Sequence, residues 1–498
     1  MPDGALRDLF ERLARGGAMI QRLVSDSRQC APGAAFFAWQ GERADGRAHI
    51  GDAIARGASA VVWDSRGFAW QDGWRVPNAP VPGLRESAGM LASTFHGDPS
   101  AALWTCGVTG TNGKTTCSQW LAAALSADGR SAGVIGTLGS GIAGSALEAS
   151  PNTTPDALEV QRMLAGFRAQ GAQAAAMEVS SHALVQSRVN GVRFRCALFT
   201  NLSHDHLDYH GSMQAYADAK ARLFDTPGLE TAVLNLDDAM GVRLARRLTG
   251  NGVRTIGYGL SHDALAQGSV DEYIVARDVR VGAASTQLSL ATSRGDATVD
   301  LPQAGRFNAA NALGVLGCLL ASGIALARAV SLVERLPAVP GRMQRVGGGG
   351  RPLAVIDYAH TPDAIEKALQ ALRPVADAAG GRLAIVFGAG GDRDPSKRTV
   401  MGGIASRLAD RIVLTSDNPR GEAPGAIIDA IRVGVSVAHE VEPDRARAID
   451  LAIAQSDAAD VVLVAGKGHE AYQEIAGRRL PFSDVAAAQA AIDRWSPR

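Results

Sequence analysis

The chain has 498 residues, with fifty Lys plus Arg balanced by fifty Asp plus Glu and a formal net charge of +0 at pH 7. That length exceeds one hydrophobic core and points to roughly three domains. The charge balance excludes bulk attraction to nucleic acid or to an anionic membrane, so any anionic ligand must be met by a local site.

The opening "MPDGALRDLFERLARGG" reads as an amphipathic helix, and no apolar run reaches membrane-spanning length. The five cysteines, Cys30, Cys106, Cys117, Cys196 and Cys318, are odd in number and lack a C-x-x-C pair, which fits reduced thiols. A soluble, cytoplasmic protein is expected, without nucleic acid or membrane insertion.

Apolar runs such as "ASAVVWD", "SAGVIGT", "QAAAMEVS", "CALFTNLS" and "TAVLNLDD" alternate with helical stretches such as "ALEVQRMLAGFRAQ". This rhythm predicts α/β layers around mostly parallel sheets. A Gly-Asp-Pro turn just before residue 100 and the Pro- and Gly-rich "ERLPAVPGRMQRVGGGGRP" mark two breaks. The expected domains are therefore 1–99, 100–336 and 337–498. In the last, "LAIVFGAGGDRD", "RIVLTSDNPRGE" and "DVVLVAGKGHE" each read as a strand ending in a polar loop, where open α/β sheets bind ligands.

At 107–116, "GVTGTNGKTT" lies between an apolar run and the helix-compatible "CSQWLAAALSADG". Strand, glycine-rich loop and helix together make a phosphate site: Gly110 and Gly113 allow close backbone approach, and N–H groups and the helix N-terminus face the anion. Lys114 can reach the outer phosphates and the Thr115 hydroxyl can hold Mg²⁺. Val108 stands where the common G-x-x-x-x-G-K-[ST] pattern has its first glycine.

Glu178 follows an apolar run in "MEVSSHALVQSRVNG"; a carboxylate at a strand end can ligate a nucleotide's magnesium, or it can be a helix-start acid near Ser180. "FTNLSHDHLDYHG" then packs His204, Asp205, His206, Asp208 and His210 into seven residues. Its likeness to the zinc signature H-x-H-x-D-H is broken by Tyr209, and the preferred reading makes His206 a ligand or orienting group near magnesium. Lys220 in "YADAKARLF" is, by itself, a surface lysine.

In order along the chain, "TGTNGKTT", "EVSSHAL", "NLSHDHLDYHG" with the lysine of "ADAKARLF", "GRFNAANALGV", "DYAHTPDA" and "GDRDPSKR" resemble the motifs of Mur ligases, ATP-dependent amide-forming enzymes of peptidoglycan precursor assembly. The resemblance spans all three expected domains and is greatest to the branch that adds the third residue of the stem peptide. It implies a central P-loop-type ATP-binding domain with a mostly parallel sheet and a Rossmann-like C-terminal domain. It also implies transfer of the ATP γ-phosphate to the D-glutamate carboxylate of UDP-N-acetylmuramoyl-L-Ala-D-Glu, giving an acyl phosphate from which an amine displaces phosphate through a tetrahedral intermediate.

By that resemblance ATP is held by Gly110, Thr111, Asn112, Gly113, Lys114, Thr115 and Thr116, with Asn308, Asn311, Arg342 and Asp357 contacting the nucleotide. Two Mg²⁺ ions are implied, with Thr115, Glu178, His206 and a Lys220 carbamate as ligands. The carbamate replaces a cation that would repel the metal by an anionic oxygen donor. Ser25, Ser27 and the loop "GERADGR" match the stretch that holds the uridine diphosphate, although Ser25-Asp26-Ser27 lacks the usual leucine. Asn152, Thr153, Thr154, Ser180, Gln186 and Arg188 match the muramoyl-dipeptide site.

Asp417, Asn418, Pro419 and Arg420 resemble the signature of enzymes that take meso-diaminopimelate. Arg420 would form a bidentate pair with the distal carboxylate that lysine lacks. Arg393, Gly466 and Glu470 would complete the pocket, with Glu470 receiving the distal ammonium. The alternatives are the same ligase using L-lysine, a folylpolyglutamate synthase-like ligase, and an ordinary P-loop NTPase. A monomer is expected.

Overall fold

Every apolar run named above becomes a strand in the computed structural model, which describes residues 3–42, 44–150, 152–261, 263–264, 269–282 and 285–497. Arg43, inside the expected uridine-diphosphate loop, and Pro151, ahead of Asn152, lie outside the described residues. The chain divides into two compact units: Met1–Thr109 with Leu121–Leu198 and Ala219–Ala232, and Gly110–Trp120 with Phe199–Asp218 and Val233–Arg498.

The first unit begins with a four-stranded parallel sheet in the order Arg22–Val24, Ala34–Ala38, Ala60–Trp63 and Asn78–Pro80. "AAFFA" is apolar throughout because both faces are covered, and each fully buried large apolar side chain contributes about 1.5–3 kcal/mol. The helix Asp3–Arg15 lays Leu6, Leu9 and Leu13 on one face; Phe36, Ile50, Val61 and Trp63 pack on the other. Five successive strands of a ten-stranded sheet, Cys196–Phe199, Trp104–Thr109, Ala174–Glu178, Ala132–Gly136 and Gly139–Ile142, belong to this unit except for Phe199. Trp104–Thr109 and Ala132–Gly136 each pair in parallel with Ala174–Glu178, and the last pairing is antiparallel.

The strand Thr231–Asn235, which belongs to the second unit from Val233 on, is followed side by side by Arg254–Gly259, Glu272–Val281, Thr286–Thr292 and Gly295–Leu301. The last three form an antiparallel meander beyond the parallel strands. A six-stranded sheet follows, in the order Gln344–Gly347, Leu353–Asp357, Val461–Ala465, Leu383–Phe387, Arg411–Leu414 and Glu440–Val441. All but its first strand are parallel. Alternation sorts the side chains: Leu353, Val355, Val461 and Leu463 enter one core, Ala354, Ile356, Val462 and Val464 the other.

This two-faced burial leaves the C-terminal strand ends as the exits for polar chemistry. Asp357, Phe387, Leu414 and Ala465 end the four central strands, immediately before the loops that carry "YAHTP", Arg393, Asp417–Arg420 and Gly466–Glu470.

Candidate active site

The loop 110–113 has backbone that only glycine tolerates at two positions. Gly110 has φ +148° and a Cβ there would lie 1.9 Å from Thr200 Oγ1; Gly113 has φ +87° and its Cβ would lie 2.4 Å from Asn311 Oδ1. Asn201 fixes the loop from a distant segment. Its carbonyl accepts from the Thr111 amide at 2.8 Å, its Oδ1 from the Asn112 amide at 3.0 Å, and its Nδ2 donates to the Asn112 carbonyl at 3.1 Å. Asn112 Nδ2 donates at 2.8 Å to Asp363, which also pairs with Lys367.

Lys114, expected to reach outward, folds back so that Nζ donates to the carbonyls of Gly110 at 2.9 Å and Thr111 at 2.8 Å. Thr115 and Thr116 are buried. The Thr115 hydroxyl accepts from Arg342 at 2.9 Å, and that guanidinium stacks on Tyr358, 4.5 Å from its ring centre. Arg342 Nε is buried without a hydrogen-bond partner among the described residues, an unspent donor beside the loop that suits a phosphate oxygen. Asn308 and Asn311 are buried on the helix Arg306–Ala321. Asp357 accepts from the Met343 amide at 2.8 Å, and burial pushes its carboxyl above the usual range against the pull of Arg342.

His206 adopts φ +55° at the start of a short helix, and its Nε2 lies 3.3 Å from Asp205 Oδ2. Burial works to raise the Asp205 carboxyl, but the charges of His206, His360 and Lys397 outweigh it and hold the group below its ordinary value.

In the first unit, Glu178 ends its strand with only 1% exposure. The Thr137 amide donates to Oε1 at 2.7 Å and the Thr137 hydroxyl to Oε2 at 3.1 Å, while the same hydroxyl lies 3.1 Å from that of Thr153. Thr154 Oγ1 donates to the Glu178 carbonyl at 2.8 Å and accepts from the Ser180 amide at 3.1 Å. Ser180 caps the helix Ser181–Val185, so the strand end, the Thr153-Thr154 pair and the helix start form one hydrogen-bonded group.

Arg188 reaches the Thr154 carbonyl at 2.8 Å and Gln186 Oε1 at 2.9 Å; Gln186 Nε2 in turn donates to Glu42 at 2.8 Å. Ser25 Oγ donates to Asp156 at 3.1 Å, whereas Ser27 starts a short helix capped by Asp26 and Asn152 is exposed. A cavity of about 330 Å³ is lined by Gln40, Gly41, Arg47, Asp64, Arg66, Arg85 and Glu86. Lys220 is buried, at 1% exposure, rather than on the surface where a lone lysine belongs.

The expected amino-acid residues gather in the second unit. Asn418 Nδ2 donates to Glu470 Oε2 at 2.8 Å, and Asp417 Oδ2 sits where a Cβ on Gly466, φ +121°, would come within 2.2 Å. Arg420, at φ +51°, gives one nitrogen to the Gly391 carbonyl at 2.7 Å and brings Nε to 4.0 Å from Glu474. Its fork is thus partly used by the protein. Pro419 is buried and Arg393 exposed.

Sequence reasoning missed Lys467, whose fully buried ammonium donates to Asn418 Oδ1 at 2.9 Å and Glu470 Oε2 at 2.8 Å. It also missed Thr137 and Asn201. The lysine inside "GKGHE" was the one signal available, since a charge in an apolar strand-loop junction calls for a partner.

Comparison with known proteins matches the Mur ligase family catalytic domain to residues 19–96, the Mur ligase middle domain to 108–319 and the Mur ligase glutamate ligase domain to 341–468. A UDP-N-acetylmuramoyl-L-alanyl-D-glutamate--2,6-diaminopimelate ligase of Chromobacterium violaceum is 50% identical over 484 residues, 97% of this chain and 96% of its own. A ligase of the same name from Pseudomonas aeruginosa is 48% identical over 493 residues, covering 99% and 98%. A solved structure of such a ligase has a TM-score of 0.66 at 37% identity and covers 95% of both chains. The MurF ligase of Thermotoga maritima in complex with ADP has a TM-score of 0.64 at 18% identity, covering 96% of this chain and 98% of its own, a likeness of fold alone.

Proposed function

Because the chain belongs to the Mur ligase family, we propose that it is the ATP-dependent ligase that adds diaminopimelate to UDP-N-acetylmuramoyl-L-alanyl-D-glutamate in peptidoglycan precursor synthesis. The observation that carries this reading is identity near one half, over almost the whole length, to ligases of that name. The amino acid is the meso isomer, and the enzyme acts as a cytoplasmic monomer.

The chemistry must bring a triphosphate and a carboxylate together, two anions that repel unless cations lie between them. Residues 110–116 bind ATP, with Asn308, Asn311, Arg342 and Asp357 as further nucleotide contacts. Lys114 exchanges the carbonyls of Gly110 and Thr111 for phosphate oxygens and neutralises the transferred group. The unpartnered Arg342 Nε supplies a second donor.

The donors present suit Mg²⁺: a carboxylate held from two sides, a buried lysine that a carbamate would turn into an oxygen donor, a hydroxyl and an imidazole. Thr115, Glu178, His206 and a carbamate on Lys220 are the groups that would ligate two ions. When bound, magnesium offsets the negative charge of the reacting oxygens. Gln186, Arg188, Ser180, Asn152, Thr153 and Thr154 hold the dipeptide, and Ser25 and Ser27 the uridine diphosphate. The carboxylate attacks the γ-phosphorus and ADP leaves, giving an acyl phosphate; the amine of the incoming amino acid then attacks the acyl carbon, the amide bond forms and inorganic phosphate leaves.

Arg420 and Glu470, with Arg393, Asp417, Asn418, Pro419 and Gly466, read the distal carboxylate and ammonium of diaminopimelate. An L-lysine enzyme would set its ammonium against Arg420, a like-charge contact. The test is mass spectrometry of the nucleotide sugar after incubation with Mg-ATP and meso-diaminopimelate. A product heavier by one diaminopimelate residue is expected; unchanged nucleotide sugar with ATP hydrolysed would overturn the reading.

A further inference from the structure

Arg445 lies outside every motif discussed so far, yet it is among the most deeply buried charges of the second unit, at 1% exposure. Its Nε and one terminal nitrogen each donate at 2.7 Å to the two oxygens of Asp484, and neither side chain reaches solvent. The nitrogen that meets Asp484 also donates to the Ala465 carbonyl at 2.9 Å, and the other donates to the Ser416 carbonyl at 3.3 Å. Ser416 immediately precedes Asp417–Arg420, and Ala465 immediately precedes Gly466–Glu470. One guanidinium therefore ties together the roots of two loops that come from different strands.

Local stability does not explain this placement. Arg445 opens the helix Arg445–Ala454, where the helix dipole disfavours a cation. A buried ion pair is also weak evidence for stability, because apolar replacements are often neutral. What an apolar pair cannot replace is the set of two carbonyl bonds, and the planar fork suits four directed contacts better than a lysine ammonium. Farther out, Lys467 joins Asn418 to Glu470, so the same two loops are fastened at their roots by Arg445 and above them by Lys467.

We propose that Arg445 is the positioning residue of the amino-acid pocket, fixing the spacing between the Asp417–Arg420 loop and the Gly466–Glu470 loop and hence selectivity for a substrate with two charged ends. The proposal rests on the reading that these loops bind diaminopimelate. A displacement of about 1 Å between groups that must grip both ends of one ligand can cost about a hundredfold, so the effect should appear in amino-acid binding.

Two variants test it beside the wild type. R445K keeps a charge opposite Asp484 but cannot make all four bonds, and R445M/D484L removes both charges and leaves none buried alone. KM for diaminopimelate, ATP and the nucleotide sugar is measured with kcat and the cooperativity of unfolding, and R420K is run as the reference for the pocket itself. The expected result is cooperative unfolding with KM for diaminopimelate raised about tenfold or more in both variants, KM for the other substrates within about twofold, and R420K also raised for diaminopimelate.

A folded variant with KM for diaminopimelate within about twofold of wild type, or one in which every constant moves together, overturns the proposal. Failure of both variants to fold also overturns it, since Arg445 would then be a determinant of the fold. If R420K binds diaminopimelate normally, the pocket reading has failed and the proposal falls with it.

Discussion

Thr137 holds both carboxylate oxygens of Glu178, its amide 2.7 Å from Oε1 and its hydroxyl 3.1 Å from Oε2. Two donors from one residue fix the orientation of that buried carboxylate, and a metal ligand needs its oxygens aimed. Thr137→Val removes the hydroxyl and keeps the amide and the shape. We expect the magnesium concentration for half-maximal turnover to rise about tenfold, as for other residues that orient a metal ligand. An unchanged magnesium dependence would remove Thr137 from that role.

Gly113 combines φ +87° with a neighbour, Asn311 Oδ1, that stands where a Cβ would go. Gly113→Ala therefore meets backbone strain and a side-chain clash, together about 1–3 kcal/mol in denaturant unfolding. Adding Asn311→Ala relieves the clash and leaves the strain, so only part of the loss should return. Full recovery in the double variant would show that the positive φ costs nothing here.

Lys220 is the buried lysine on which the carbamate reading depends. Lys220→Ala should lower kcat at least about a hundredfold, with partial rescue by acetate or formate standing in for the carbamate oxygens. The wild type incubated with ¹³C-bicarbonate should show a carbamate carbon signal that the variant lacks. Turnover near the wild-type rate in Lys220→Ala would contradict both the carbamate and its role.

His360 is closely surrounded; burial first, and the charge of Lys397 second, hold its imidazole below the ordinary value of 6.5. Because the folded pKa is depressed, the unfolded chain binds the proton more readily. The associated stability is present above the unfolded pKa and is lost as the pH falls from there through the folded value. Melting curves of the wild type should shift downward as the pH falls from about 7 to 5, and His360→Gln should flatten part of that slope. Parallel slopes for the two proteins would show that His360 does not couple to folding.

The strands were legible because runs such as "SAGVIGT" and "DVVLVAG" are apolar on both faces and end in glycine or polar residues, as covered parallel strands require. The succession of strand, glycine-rich turn and helix around 110–113 was legible despite Val108, which lies buried inside the preceding strand while Gly110 and Gly113 make the turns. The meander of Glu272–Val281, Thr286–Thr292 and Gly295–Leu301 was not picked out, although its last strand alternates buried and exposed residues at its end.

What sequence could not give was partnership at a distance. Thr137 and Glu178 are 41 residues apart, Asn112 and Asn201 are 89, and no period links them. The same limit hid the state of Arg420, whose NH1 is taken by the carbonyl of Gly391. Local pattern named the glycine-rich loop, Glu178 and the histidine run, and the family resemblance named the other expected site residues, but the hydrogen bonds around them came only with the fold.

The deciding measurement for the ligase activity is phosphate release from Mg-ATP with UDP-N-acetylmuramoyl-L-Ala-D-Glu, comparing meso-diaminopimelate, L-lysine and no amino acid. Sustained release is expected only when diaminopimelate and the nucleotide sugar are both present. Equal release with L-lysine would contradict the pocket built around Arg420 and Glu470, and release indifferent to the nucleotide sugar would contradict the ligase itself.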